Sequence, residues 1–290
     1  MKKSILLPAL ILGLSLIYTS KLRSQDIEIG AKAGVSYYFG DLAPSNRIIS
    51  FSKPGPSGGF YLKRQINEFF SFRADVSYLF IQADDANGID AWRSNRNLDF
   101  ASDVFEGSLT TEFIPFEIRL GRKNNIHPFV GFGLGIYHFN PYTIHNGSEV
   151  KLQPLNTEGQ GLVGYGTPYA LTQINIPIRG GLKLSLSSGL NIGIELSYRD
   201  LFTDYLDDVS GNYVSNTLLA ENYGPLSAIL SDKSPNMVNS TDTGSGITAR
   251  RGDPSSEDGY GSLVLTIGYT FQRTHIGSGF SRNKVSCPTF

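Results

Sequence analysis

The chain has 290 residues, 40% hydrophobic and 18% charged, with 12% aromatics, 32 Gly and a single cysteine, Cys287. A mean hydropathy of −0.13 is too polar for a bundle of membrane helices, which needs several long apolar runs. A formal charge of −1 gives no ground for a nucleic-acid partner, and one cysteine excludes an internal disulfide framework or a multi-cysteine metal cluster.

The first element is an address. Lys2 and Lys3 precede an apolar run from Ile5 to Ile17, and small and polar residues follow from Thr19 to Ser24. That order predicts a secretory signal peptide over residues 1–24. An N-terminal anchor is the alternative, but the run is short of a full span and Pro8 interrupts it. Removal of residues 1–24 leaves 21 bases and 26 acids, a net charge of −5. No later run reads as a transmembrane helix.

From Ile27 onward, strand patterning dominates. Successive strand side chains point to opposite faces, so a sheet with one apolar face reads with period two. Ile27, Ile29, Ala31, Ala33, Val35, Tyr37 and Phe39 alternate with Glu28, Gly30, Lys32, Gly34, Ser36 and Tyr38. Phe60 and Leu62 alternate with Tyr61 and Lys63, and Phe70 to Phe80 alternate with Ser71, Arg73, Asp75 and Ser77. In 105–120 the apolar parity changes near Pro115, which predicts a β-bulge. In 128–139, Gly131, Gly133 and Gly135 fill one parity, which predicts a crowded neighbour. The runs 173–186 and 190–199 are the cleanest, joined by Ser187-Ser188-Gly189, a hairpin signal. Leu263 to Phe271 form the last strand.

These are eight strands with three short connections (67–68, 121–127 and 187–189) and four long ones (about 41–57, 83–104, 140–168 and 200–259). Short turns alternating with long loops predict an eight-stranded antiparallel transmembrane β-barrel over residues 25–272, with a periplasmic tail at 273–290, in the cell outer membrane. Tyr37, Phe39, Phe69, Phe70, Tyr137, Phe139, Tyr198, Tyr269 and Phe271, near strand ends, are expected to form two interfacial girdles. The alternative is a soluble periplasmic barrel with its apolar face inward around a ligand. A long aliphatic face, charges on the other face and the aromatic end of the last strand favour the membrane form.

An eight-stranded barrel is just wide enough to be filled by side chains. Its inward parity offers Lys32, Lys63, Arg73, Asp75, Arg179, Lys183, Glu195 and Arg199, expected to pair as an ionic plug that excludes general diffusion.

Among the loops, Asp204, Asp207 and Asp208 put three carboxylates within five residues. They could hold Ca²⁺, but the spacing lacks the glycine and terminal Glu of an EF-hand, so a solvated or Arg-paired acidic turn is the preferred reading. His138 could serve a barrel hydrolase with a loop serine or acid, yet no nucleophile motif accompanies it; a hydrogen-bonded structural role is preferred, and catalytic, metal and cofactor residues are expected to be none. Arg251-Gly252-Asp253 and Asn146-Gly147-Ser148 are chance tripeptides on this reading, and residues 231–258 read as a mobile loop tip.

The run Pro128–Pro141, ending His138-Phe139-Asn140-Pro141, resembles one family of outer-membrane β-barrels from Bacteroidota. So do Leu152–Gly161 with Thr157-Glu158-Gly159-Gln160-Gly161, Tyr205–Ser210 with Leu-Asp-Asp-Val-Ser, and the ending Cys287-Pro288-Thr289-Phe290. The family includes PorG, a component of the type IX secretion system, and the similarity runs from about Ile27 to Phe290. The resemblance implies a non-enzymatic integral outer-membrane protein, in contact with membrane lipids and associated with a periplasmic ring formed by a lipoprotein and its partner. That ring would meet the short turns and the tail with Arg273, Arg282 and Lys284. Asn140, Pro141, Thr157, Glu158, Gly159, Gln160, Asp204, Asp207 and Asp208 are the motif residues proposed for interaction. A stand-alone structural barrel that binds extracellular partners through its loops is the alternative. No small-molecule substrate is identified.

Overall fold

The computed structural model describes residues 26–43, 53–87, 91–121, 124–235, 240 and 249–271. Residues 1–24, expected to be a signal peptide, and residues 273–290, expected to be a tail, with the Cys-Pro-Thr-Phe ending, lie outside the described residues. Eight strands close a wall: β1 (Ile27–Phe39), β2 (Gly55–Gln65), β3 (Phe70–Asp84), β4 (Asp99–Phe113), β6 (Asn124–His138), β9 (Thr172–Ser185), β10 (Leu190–Leu201) and β11 (Gly259–Phe271). Each pairs antiparallel with its neighbour, and β1 meets β11 from Ile27↔Phe271 to Phe39↔Gly259, so no wall strand is left with a free edge along its length. The fold is the closed eight-stranded antiparallel barrel expected from the alternation.

The direction of the alternation decides what surrounds the barrel. Phe60, Val76, Leu109 and Phe132 point outward and are each about 70% exposed, whereas Lys32, Asp75, Arg179 and Glu195 point inward and are buried. A ligand-binding soluble barrel needs the reverse, and a continuous apolar exterior of this size requires lipid. On β3 the outward series runs from Phe70 to Phe80, about ten residue rises; at a tilt of about 40° this spans roughly 25 Å, the height of an outer-membrane hydrocarbon belt. Phe69, Phe70, Phe113, Tyr269 and Phe271 ring the short-turn end, and Phe39, Tyr78, Phe105 and Tyr198 the long-loop end.

Two expected girdle residues are not in the girdles. Tyr137 and Phe139 are fully buried inside, their rings stacked 5.5 Å apart. Tyr137 shares the inward parity of Gly131, Gly133 and Gly135, and strand ends alone do not reveal which face an aromatic takes. The glycines do face crowding: a Cβ on Gly131 would lie 3.1 Å from Arg179 Cγ, and one on Gly135 would lie 2.3 Å from Asn175 Oδ1.

The parity change at Pro115 has a structural form different from a bulge inside one continuous strand. The wall strand β4 stops at Phe113, residues 114–117 leave the ladder, and a short strand β5 (Ile118–Leu120) resumes pairing with β6. Phe113 faces Val130 but Ile118 faces Ile126, so five steps on one side answer four on the other. One extra residue is therefore accommodated as in a bulge, and it returns Ile118 and Leu120 to the lipid side.

Above the belt the two faces exchange character. On the long-loop half of the barrel the inward residues become Leu79, Ile81, Phe100, Val104, Leu201 and Tyr260, and the outward ones include Gln82, Asp84, Asp99, Asp103 and Asp200. There the strands enclose a core like that of a soluble domain. The loops complete it with α1 (Ala91–Arg96), a hairpin of β7 (Tyr142–His145) and β8 (Ser148–Lys151), α2 (Asn216–Tyr223) and α3 (Pro225–Ser231), none of which period-two reading anticipates. No described helix is long and apolar enough to cross a membrane.

Candidate functional site

The lumen and the plug of loops above it form one polar column. At its short-turn end, Lys183 Nζ meets Glu28 Oε2 at 3.1 Å and Lys63 Nζ meets Glu112 Oε2 at 2.8 Å. In the middle, Asp75 accepts from Lys32 (2.8 Å), Arg73 (2.8 Å) and Arg179 (3.0 Å). Arg73 Nη1 also reaches Glu195 Oε2 at 2.7 Å and Glu112 Oε1 at 3.2 Å, and Arg179 lies 3.7 Å from Glu195. One level higher, Arg199 holds Glu106 through Nε at 2.9 Å, with Tyr260 and Asn175 donating to the same carboxylate. Among the described residues this gives six cations and five carboxylates on the inner wall, linked across strands that are far apart in sequence. Each charge stripped of water here is compensated by a partner from another strand, which is what makes the burial tolerable. Glu28, Glu106 and Glu112, absent from the sequence-based lumen set, share the parity of their strands' inward residues; that parity is the signal that identifies them.

The plug is built around Arg251. Its Nη1 donates to Glu158 Oε1 at 2.9 Å and to the Asp208 carbonyl, its Nε donates to the Ser231 carbonyl at 3.1 Å, and Nη2 lies 3.6 Å from Asp208 Oδ2. Thr157 donates to Asp208 Oδ2 at 2.6 Å and Tyr169 to Oδ1 at 2.7 Å. Glu158 also accepts from the backbone N–H groups of Ser210 and Gly211. The two loop blocks that carry the family resemblance thus meet on one guanidinium. Gln160 Oε1 accepts from the Glu158 N–H, and Gly159 turns the chain at φ 72° beneath the Tyr165 ring. Asn140 N–H donates to Ser102 Oγ, and the Pro141 carbonyl accepts from Leu152 at the base of the β7–β8 hairpin. Tyr205, Tyr169 and Phe139 stack nearly parallel, leading from this node into the barrel.

Beside that node, Tyr38 Oη is 2.6 Å from Asp207 Oδ2 and 2.8 Å from Asp258 Oδ1, both carboxyls being fully buried. One phenol carries one proton, so one of the two carboxyls must itself be protonated to complete the bridge. Burial first, then the charge of Asp41, pushes Asp207 well above the carboxylate range; burial and Asp207 do the same to Asp258. Burial lifts Asp208 to about 6 against the opposing pull of Arg251, and lifts half-buried Asp204 to about 7. Two carboxylates of the acidic turn thus take separate partners, Asp208 with Arg251, Thr157 and Tyr169, and Asp207 with Tyr38. Among the described residues no group of three or more His, Cys, Asp or Glu is arranged to hold a metal ion.

One loop expectation is corrected by this geometry. Residues 231–258 are not simply a mobile tip: Asp232, Arg251 and Asp258 are buried, and Asp232 binds Ser234 and Ser240, with 236–239 and 241–248 outside the described residues. Arg251 cannot be presented to a receptor as part of an exposed tripeptide, because it is the centre of the plug. His138 faces outward, with Nδ1 2.9 Å from Thr172 Oγ1. Arg251, Asp258, Arg96 and Asp85 carry no sequence signal. Arg96 grips Asp85 through two nitrogens and reaches the Arg251 carbonyl 155 positions away, a separation no local pattern encodes.

A closed antiparallel barrel with an apolar belt between aromatic rings, an ion-paired lumen and long loops at one end defines an integral outer-membrane β-barrel protein. The chain belongs to the family described as "Domain of unknown function (DUF6089)", whose model matches residues 7–228. A search of curated proteins finds no match. Among solved structures, the chain is similar to the attachment invasion locus protein Ail of Yersinia pestis in complex with the heparin analogue sucrose octasulfate (10% identity, 86% of this chain and 100% of that one, TM-score 0.37). It is also similar to the Neisserial surface protein A (11%, 84% and 97%, 0.39) and to OprG from Pseudomonas aeruginosa (11%, 86% and 97%, 0.40).

Proposed function

We propose that the protein is a non-enzymatic accessory barrel of type IX protein secretion in a member of the Bacteroidota, PorG-like in role, that contacts the periplasmic ring through its short-turn end. The observation that carries this reading is the lumen: ion pairs fill it from Glu28 to Glu106, so the barrel has no conduit to offer and acts through its two ends. The resemblance of the Pro128–Pro141, Leu152–Gly161 and Tyr205–Ser210 blocks to that barrel family supplies the partner. In this reading residues 1–24 are removed on export, and the basic tail 273–290 lies on the ring side of the membrane.

Purification from detergent-solubilised membranes, with a deletion strain in parallel, tests it. Ring proteins should co-purify, and secretion should fall in the deletion. Absence of ring proteins together with intact secretion refutes the proposal. A second reading, a stand-alone structural barrel that binds extracellular partners through its loops, draws on the exposed loop side chains Trp92, Ile144 and Val163; deletion would then abolish surface binding and spare secretion.

A further inference from the structure

The residues that break the parity of β4 also open a chamber at the short-turn end of the lumen. β6 pairs with β4 as far as Val130 and with β5 from Ile126, and residues 114–117 leave the ladder between those two pairings. Ile114, Phe116 and Glu117 line a vestibule of about 710 Å³ that opens at the short-turn rim, and its inner lining includes Glu28, Lys63 and Lys183. That volume lies within the range of ligand-binding pockets. The short-turn end faces the periplasm in barrels of this kind, so an occupant enters from there.

The floor of this vestibule has donors to spare. An ammonium carries three N–H groups; Lys183 gives one to Glu28 Oε2, and Lys63 gives one to Glu112 Oε2. His127 sits opposite Lys183 in the β6–β9 ladder and lines the same chamber. The carboxylates there are already engaged, since Glu28 Oε1 takes the Tyr61 hydroxyl and Glu112 Oε1 takes Arg73. The floor therefore suits a group rich in acceptors. At the mouth the chemistry differs. Asp26 Oδ1 is buried without a hydrogen-bond partner, Glu117 pairs with Arg119 at 3.5 Å, and Phe69, Phe116 and Leu186 supply apolar surface. Asp26 and Glu117, with Glu68 on the same lining, repel a polyanion. A single carboxylate on a short stem passes them, and Asp26 can accept a backbone N–H behind it. We propose that the vestibule binds an acidic peptide segment of a periplasmic protein. One side-chain carboxylate reaches Lys183 and His127, and the backbone lies at the mouth against Asp26 and the amides of Asn125 and Asn191. Bonds from an ammonium to a carboxylate are about twice as strong as neutral ones, which gives the site its preference. This site rests on the reading above for its periplasmic partner and specifies the group by which that partner is held.

Full-length protein in nanodiscs, with both faces open to solvent, is titrated by calorimetry with a capped pentapeptide carrying one central glutamate between alanines. Its glutamine twin, acetate and inorganic phosphate are titrated alongside. The glutamate peptide should bind once per barrel, and the glutamine twin about tenfold or more weakly, the expectation for loss of one charge-assisted contact. Ser185→Trp, which fills the vestibule and leaves the ion pairs in place, should abolish binding. The double variant Lys183→Gln, Glu28→Gln strands no charge and should lose the preference for glutamate over glutamine. Heat-dependent gel mobility confirms that each variant is folded. Equal binding of the two peptides, undiminished binding by folded Ser185→Trp, or acetate or phosphate binding as tightly as the peptide overturns the proposal. Peptide binding that appears only after residues 273–290 are deleted marks the chain's own tail as the occupant and overturns it as well. Absence of ring proteins from the membrane purification refutes the secretion role and leaves these titrations unaffected.

Discussion

Raising the pH should loosen the loop plug, and Asp208 sets a measurable part of the effect. Its carboxyl is fully buried and lifted to about 6 in the folded plug, against an ordinary value of 3.8. Between those two values the opened loop gives up its proton while the closed plug keeps it. Stability is therefore complete below about pH 4 and declines as pH rises to about 6, beyond which this group adds no further change. A shift of about two units corresponds to about 3 kcal/mol of plug stability. Asp204 extends the decline toward pH 7 by a smaller amount, because it is half-buried and solvent screens it. The Tyr38-bridged pair of Asp207 and Asp258 extends it further in the same direction. Hydrogen exchange of segments 204–211 and 249–258 in nanodiscs, corrected for the intrinsic pH dependence, reads this directly. Protection should fall between pH 4.5 and pH 7.5, and Asp208→Asn should remove the portion below pH 6. Protection that is flat or rises with pH, or an Asn variant that titrates with the wild-type amplitude, refutes the reasoning.

Three further outcomes follow from the same geometry. Arg251→Met leaves Glu158 and Asp208 buried without their cation, so the plug should lose about 3–5 kcal/mol, seen as rapid proteolysis of the long loops with the barrel intact. In the lumen, Glu106→Leu strands the Arg199 guanidinium and should lower urea stability in vesicles by a similar 3–5 kcal/mol, whereas the Arg199→Met, Glu106→Leu pair should recover most of the loss. If the single and double variants are equally unstable, the ion-pair account of the lumen is wrong. Gly133→Ala would bring a Cβ to 1.9 Å from the Leu109 carbonyl oxygen and should cost about 1–3 kcal/mol or more, while Gly107→Ala, whose Cβ meets only Ile136 Cγ2 at 4.0 Å, should be nearly neutral in the same urea assay.

The barrel and its lumen were legible because period two is a local property: Lys32, Asp75, Arg179 and Glu195 share a face with their strand neighbours regardless of what lies across the sheet. Parity alone was enough to place them inside, and the same rule extends to Glu28, Glu106 and Glu112. It was not enough for Tyr137 and Phe139, whose position at a strand end suggested the interface when their parity pointed inward.

By itself, then, the sequence determined the strands, their two faces, the closure number implied by three short and four long connections, and the ionic character of the interior. Only the tertiary structure decided which carboxylate meets which cation, and it alone revealed the plug. Its bonds run between Arg96 and Arg251, Tyr38 and Asp207, and Glu158 and Arg251, over separations of 155, 169 and 93 residues. A buried loop charge is fixed by partners that converge in space without any periodic relation along the chain, and so it leaves no local pattern to read.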